Sequence, residues 1–330
     1  MDEKVRIYFL GSGAFAVPVL AALLESGRVE IVKIITQRDK PAGRKKRLTP
    51  TPVGAWCDAH GLPCERVGSV NREAFHEACG KDGVDMFVVV SFGQLLKEKT
   101  LALPKICCMN VHASLLPKYR GASPIISAVL AGEETTGVTF MLMDRGLDTG
   151  DVLERREMPV PENITAEELE KSLAKLAGSH LADCIEKVAA GELKGVPQDH
   201  AKATYTSKIR KSDGAIFWNA SSDEILRKVR AFHLWPSAFF FRTAGEGAKM
   251  QIKLTEAQKE SYEGELPPGG TILAADKRGV MVACGKGAIL LKKVIPEGKK
   301  EMTGADFARG YHLQAGERLS DGVQDHNEPA

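Results

Sequence analysis

The first 37 residues constrain the fold more tightly than any other stretch of the chain. Residues 4–10 (KVRIYFL) are a short apolar run of strand composition, residues 14–26 read as a helix, and residues 29–36 are a second apolar, β-branched run. Strand, helix and strand in so little chain close as a βαβ crossover, which makes the two strands parallel. The turn between the first strand and the helix, Gly11-Ser12-Gly13-Ala14-Phe15-Ala16, is a partial G-x-G-x-x-A pattern. Its glycines permit a tight turn and close helix–strand packing. A dinucleotide site also wants an acid at the end of the second strand to hold a ribose. That strand ends in Thr36-Gln37, and Asp39 belongs to a basic loop, so a structural glycine turn is the better reading.

The same alternation continues. A short helix around Trp56, a helix over 71–80, a central strand over 84–90 (VDMFVVV) and a strand over 105–111 follow in order. A helix over 122–131 and strands over 137–143 and 151–160 complete an α/β, Rossmann-like domain with an open, mostly parallel sheet. Thr165, with Glu168 three residues on, is a capping signal for a long amphipathic helix. Residues 191–207 contain Gly191, Gly195 and Pro197 without a strong period and read as a linker. Beyond them, one helix and five short β-like stretches separated by glycine and proline predict a small OB-like β-barrel. The expected domains are 1–190 (the α/β domain), 191–207 (linker), 208–314 (barrel) and 315–330 (a polar tail that frays).

Composition narrows the function classes. With 43% hydrophobic and 27% charged residues the chain has an ordinary globular make-up, and no apolar run approaches the ~20 residues that span a bilayer. Two acids precede the first strand, so the N-terminus reads as part of the fold and not as a targeting segment; a cytoplasmic, monomeric protein is expected. None of the seven cysteines forms a C-x-x-C pair, which argues against a zinc site or a disulfide framework, and Cys107 and Cys108 suit core packing. The net charge is only +2, yet RDKPAGRKKR (38–47) holds six basic side chains and one acid. Residues 208–310 carry 18 Lys or Arg against 12 Asp or Glu. Like charges so clustered repel unless a polyanion neutralises them.

The strand over 105–111 runs into Met109-Asn110-Val111-His112-Ala113-Ser114-Leu115-Leu116-Pro117. On an extended backbone Asn110 and His112 point the same way, at the end of an α/β strand where chemistry is placed. An amide can donate to a developing oxyanion and an imidazole can move a proton. The bland alternative makes both residues strand-end caps. An acid to orient His112 is best found in the turn DRGLDTG, as Asp148 or, alternatively, Asp144. Ser114 lacks a G-x-S-x-G elbow and reads as a turn or cap.

The run Asn110–Ile125 (NVHASLLPKYRGASPI) resembles the signature of the folate-dependent formyltransferases, and Gly146-Leu147-Asp148-Thr149-Gly150-Asp151 is similar to their second catalytic segment. The glycine turn, the PAGR loop and the C-terminal barrel extend the resemblance over residues 4–310. It implies a formyl donor, 10-formyltetrahydrofolate, and no metal. The catalytic trio would be Asn110, His112 and Asp148. The folate pocket would involve Phe92, Gly93, Gln94 and Leu95, the turn Ser114, Leu115, Leu116 and Pro117, and Asp144. The implied acceptor is the α-amino group of methionyl initiator tRNA. Arg38, Lys40, Arg44, Lys45, Lys46 and Arg47 would face the acceptor stem, with Arg44 matching the family's important arginine. Lys208, Arg210 and Lys211 would add a second, electrostatic contact. One departure is His233-Leu234 before Trp235-Pro236, where the family commonly shows asparagine–proline; a packing role is expected for that site. A sugar-nucleotide amine or water as acceptor, giving a sugar formyltransferase or a formyltetrahydrofolate hydrolase, leaves the basic loop without a reason. A glycinamide ribonucleotide formyltransferase leaves the barrel without one, and a noncatalytic RNA-binding protein leaves the trio unexplained.

Overall fold

The computed structural model describes residues 4–43, 47–243, 247 and 249–322. They form two compact units. The first comprises the chain up to Ile125, Glu134–Val160 and Glu168–Ser207; the second comprises Ile126–Glu133, Pro161–Glu167 and the chain from Lys208 onward.

In chain order, the elements of the N-terminal half are β1 (Arg6–Gly11), α1 (Ala16–Ser26), β2 (Glu30–Gln37), β3 (Lys40–Ala42), β4 (Arg47–Thr49), α2 (Pro52–Ala59) and β5 (Cys64–Val67). Next come α3 (Glu73–Asp82), β6 (Met86–Val90), α4 (Glu98–Leu101), β7 (Cys107–His112), β8 (Arg120–Gly121) and α5 (Pro124–Ala131). β9 (Thr135–Leu142), β10 (Val152–Pro159), α6 (Ala166–Ala189) and β11 (Tyr205–Thr206) complete the set. The seven-stranded sheet runs β10-β9-β7-β6-β1-β2-β5. Its five strands from β7 to β5 are parallel, while β9 and β10 add an antiparallel hairpin. The open, mostly parallel sheet expected from the sequence is present.

Burial explains these choices. β6 is buried along its whole length, as a central parallel strand covered on both faces must be. On α6, Leu169, Leu173, Ala177, Leu181 and Ile185 fall at four-residue spacing and are all buried, the apolar stripe of an amphipathic helix. A Cβ on Gly178 would stand 2.7 Å from the Ala22 Cβ of α1, so this glycine lets the two helices approach. The turn after β1 is likewise a packing device. The Ser12 and Gly13 N–H groups donate to Ser91 O at 3.2 and 3.0 Å, and a Cβ on Gly13 would meet the Ser91 hydroxyl at 2.2 Å. The amides that would cradle a pyrophosphate instead hold the loop after β6. Burial also pushes the Cys107 thiol up to about 11 and that of Cys184 up to about 12, which keeps both protonated near neutral pH.

Residues 191–207 are not a linker. Val196 pairs with Val152, β11 pairs in parallel with β8, and Gln198 is buried. Glycine and proline there shape a strap laid against the sheet.

The second unit contains α7 (Ser222–Ala231), opened by a reciprocal capping box between Ser221 and Glu224, and α8 (Gly304–Gly310). Its strands are β12 (Ala238–Thr243), β13 (Lys249–Glu260), β14 (Ile272–Asp276), β15 (Gly279–Ala283), β16 (Ala288–Pro296) and β17 (Met302–Thr303). All five stretches expected from the sequence are strands, arranged antiparallel in the order β12-β13-β16-β15-β14, with β17 on β16. Among the described residues the outer strands β12 and β14 do not pair with each other, so closure as a barrel is not seen.

The segment up to residue 322, expected to fray, lies along both outer strands. Ser320 exchanges two backbone hydrogen bonds with Phe241 of β12, and Ile272 of β14 bonds to Glu317 O and Gly316 N. Leu319 is 1% exposed within the core of this unit. We expect Leu319→Ala to lower the unfolding free energy by about 2–5 kcal/mol, read as a lower urea midpoint; an unchanged midpoint would return this segment to the status of a tail. His233 and Leu234, for which a packing role is expected, are both exposed, whereas Pro236 and Ser237 crowd Gly214.

Candidate active site

The parallel register sets the site. Gly11 of β1 lies opposite Val90 of β6, and Val90 opposite Val111 of β7. The turns after β1, β6 and β7 therefore leave the sheet at one level, at the carboxyl ends of the strands. Asn110 and His112 stand on β7 at this edge. Asn110 is half-buried, and among the described residues no hydrogen bond engages its side-chain amide. An amide held on a rigid strand with free N–H groups is suited to an oxygen that gains negative charge.

His112 is buried, with only 6% of its surface exposed. Its Nε2 lies 2.9 Å from Tyr119 O. A carbonyl can only accept, so Nε2 carries the hydrogen and Nδ1 faces the carboxylate of Asp148, 3.7 Å away. The structure thus selects between the two acids. Asp148 has a left-handed backbone (φ 54°), and its Oδ2 accepts the Gly121 N–H at 2.8 Å. Asp144 is exposed and closes its own turn, accepting from the Gly146 N–H at 2.9 Å and from the Thr149 hydroxyl at 2.7 and 2.8 Å. Asp144 does not reach His112.

The loop after β6 is fixed from several sides. Its Ser91 carbonyl is held by the glycine turn, and the Phe92 carbonyl accepts Gln37 Nε2 at 2.6 Å. The Gln94 amide oxygen accepts the Val70 N–H, and Leu95 O accepts Asn71 Nδ2 at 2.8 Å. The Phe92 side chain is buried in the core, whereas Leu95 is exposed and Gly93 adopts a positive φ. The Phe92 ring packs in the core of this unit. Ser114 and Leu116 are also turned inward. The Ser114 hydroxyl donates to Lys118 O, while Thr139 Oγ1 donates to Ser114 O and accepts the Leu116 N–H. Arg155 Nε donates to Leu116 O, fixing the turn from β10. Leu115 and Pro117 are half-buried.

Of the basic residues singled out, Arg38, Lys40, Arg47, Lys208, Arg210 and Lys211 are exposed, and Lys40 donates to Gln37 Oε1 at 2.5 Å. Arg44, Lys45 and Lys46 lie outside the described residues. Two residues that bear on the site went unnoticed in the sequence: Arg120, fully buried, and Gln198, which hydrogen-bonds it. A basic residue flanked by Tyr119 and Gly121 gave no apolar period to mark it as buried.

Comparison with known proteins gives the family and the fold. The family model described as formyl transferase matches residues 5–185, and that of the formyl transferase C-terminal domain matches residues 208–312. The methionyl-tRNA formyltransferase of Geobacter sulfurreducens is 35% identical over 317 residues, covering 96% of this chain and 97% of its own length. That of Desulfotalea psychrophila is 39% identical over 314 residues, 95% of each chain. Among solved structures, an N-formyltransferase from Helicobacter canadensis in complex with folinic acid and dTDP-3-aminofucose superposes with a TM-score of 0.62 at 19% identity, over 87% of this chain and 98% of that one. HypX from Aquifex aeolicus in complex with tetrahydrofolic acid gives a TM-score of 0.61 at 16% identity, over 95% of this chain and 48% of its own. At that identity the two structures share the fold.

Proposed function

We propose a function from one premise: the chain belongs to the formyl transferase family, and within it to the methionyl-tRNA formyltransferases. Its reaction is transfer of the formyl group of 10-formyltetrahydrofolate to the α-amino group of methionyl initiator tRNA. The observation that carries this reading is Asn110 and His112 at alternate positions at the carboxyl end of β7, with the Asp148 carboxylate 3.7 Å from the His112 ring, the three residues that the formyltransferase resemblance requires. Relatives matched over 95% and more of the chain favour the tRNA acceptor over an amino sugar.

In this reading the donor lies along residues 91–95, where Gly93 and the exposed Leu95 offer main chain and surface. The amine lone pair forms a bond to the formyl carbon, and the carbonyl oxygen becomes an oxyanion that takes a hydrogen bond from the Asn110 amide. A free α-amino group titrates at about 7.7–8.0, so much of it is neutral near pH 7.5 and no strong base is required. As the carbon–nitrogen bond to the folate breaks, one proton leaves the amine and one reaches the departing nitrogen. His112 moves it at Nε2, which exchanges Tyr119 O for the reacting groups, and Asp148, 3.7 Å from Nδ1, stabilises the ring whenever Nδ1 also carries a hydrogen. Positioning and oxyanion stabilisation then supply most of the rate. The cations of 38–47, of which Arg38, Lys40 and Arg47 are exposed among the described residues, and those of 208–211 bind tRNA phosphates, so that affinity falls as salt rises. The second unit is an OB-like barrel whose two outer strands are joined through residues 316–320, and the protein acts as a monomer in the cytoplasm.

The test offers 10-formyltetrahydrofolate with each acceptor in turn: charged initiator tRNA, the same tRNA uncharged, and a nucleotide-linked amino sugar. Formylation of the charged tRNA alone is the expected result. Formylation of the amino sugar alone would move the chain to the sugar formyltransferases, and formate release without an acceptor would make it a hydrolase.

A further inference from the structure

We propose that Gln198 is a positioning residue of this reaction: its amide clamps the turn bearing Asp148 to the buried guanidinium of Arg120, and so holds the Asp148 carboxylate beside His112. The inference rests on the functional reading above and adds a residue from the segment that the sequence presents as a linker.

The geometry is specific. Gln198 Oε1 accepts from Arg120 Nε at 3.2 Å and from Arg120 Nη2 at 2.7 Å. Gln198 Nε2 donates to Asp148 O at 3.0 Å and to Gly150 O at 2.7 Å. The guanidinium only donates and the two carbonyls only accept, so the amide has a single workable orientation. Every hydrogen-bonding site on it is used, and Gln198 is 5% exposed. Arg120 has no surface exposed, and among the described residues its other side-chain hydrogen-bond partners are the Tyr205 hydroxyl at 3.3 Å and His200 Nδ1 at 3.2 Å.

The clamp acts on the acid from both ends. Through its side chain Arg120 holds Gln198, which holds the main chain of Asp148 and Gly150. Through its backbone Arg120 leads into Gly121, whose N–H binds the Asp148 carboxylate at 2.8 Å. Gly121 is itself fixed by the parallel pairing of Arg120–Gly121 with Tyr205–Thr206. The turn has no slack: a Cβ on Gly150 would lie 1.9 Å from Leu142 O. Asp148 sits in the left-handed region that a non-glycine residue adopts only when its surroundings impose it. The bonds from Gln198 to the carbonyls of Asp148 and Gly150 are the part of those surroundings that a single substitution can remove.

Gln198→Glu separates this role from mere neutralisation of a buried arginine. A carboxylate keeps the acceptor that faces Arg120, and gains an ion pair, but presents oxygen where Asp148 O and Gly150 O need a donor. We expect the variant to fold with a melting temperature no lower than the parent, while kcat falls about 30-fold, within the ~10²-fold that a misplaced catalytic group loses. KM for donor and acceptor should change less than about threefold, because what is removed acts on the transition state. In an Asp148→Asn background the same substitution should change kcat less than about threefold, since the group it positions is already lost. Wild-type kcat in Gln198→Glu, or an equal loss in both backgrounds, would overturn the proposal. The His112 ring ¹⁵N resonances give a readout independent of turnover: Gln198→Glu should move them toward their positions in Asp148→Asn, and unmoved resonances would also overturn it. A wild-type chain that moves no formyl group to charged tRNA would sink the functional reading and leave this resonance test standing.

Discussion

Asn110→Ala is expected to lower kcat about 10²- to 10³-fold, the range for removing one preorganised donor from an oxyanion site. The expectation follows from where the amide sits. It is half-buried on a central strand, and no hydrogen bond among the described residues occupies it. It therefore meets the oxyanion without first giving up a partner. Because that charge exists only after the amine has attacked, KM for donor and acceptor should stay within about threefold while kcat and kcat/KM fall together. Steady-state kinetics at saturating donor, with donor affinity measured separately, make the comparison. Weakened donor binding with unchanged kcat would assign Asn110 to the folate pocket instead.

Asp148→Asn is expected to lower kcat about 10²- to 10³-fold, while Asp144→Asn should leave it within about threefold. Both acids lie on the same short turn, and sequence spacing alone leaves either as the partner of His112. The structure separates them: the Asp148 carboxylate lies 3.7 Å from His112 Nδ1, whereas that of Asp144 is taken up by Gly146 and Thr149. The isosteric amide at position 148 still accepts the Gly121 N–H through its oxygen. It no longer places a negative charge beside the ring when His112 moves a proton. At position 144 the amide keeps a weaker turn, so the effect there is about 1 kcal/mol of stability, visible in thermal melts. Equal losses of kcat at the two positions would show that the turn as a whole, and not the carboxylate facing His112, is what catalysis needs.

Much of this was legible in the chain, for physical reasons that can be named. The βαβ opening, the wholly buried strand over Met86–Val90 and the stripe on α6 declare themselves because burial on a sheet or on one helix face imposes a period. Asn110 and His112 could be paired because alternate residues on a strand share a face. Other features left no such trace. Cys64–Val67 went unread as a strand because an edge position of four residues, with Glu65 and Arg66 within it, need not be apolar. Gln198 and Arg120 are held by hydrogen bonds across a separation of 78 residues, which no local pattern encodes. Glycine and proline at 191–197 look the same in a loose linker as in a strap packed on the sheet. The closing segment 316–320 is held largely by backbone bonds, so apart from Leu319 its side chains need not be apolar and resemble those of a free tail.

The account rests most directly on the fate of the formyl carbon in a single turnover. Enzyme in excess is mixed with 10-formyltetrahydrofolate labelled in the formyl group and with methionyl initiator tRNA, quenched over milliseconds to minutes, and the products are separated. The account predicts that the label appears on the methionine amino group, at a rate no slower than kcat, and that this transfer slows in Asn110→Ala and Asp148→Asn with donor still bound. Label released as formate, or remaining on the folate while charged tRNA is present, would contradict it.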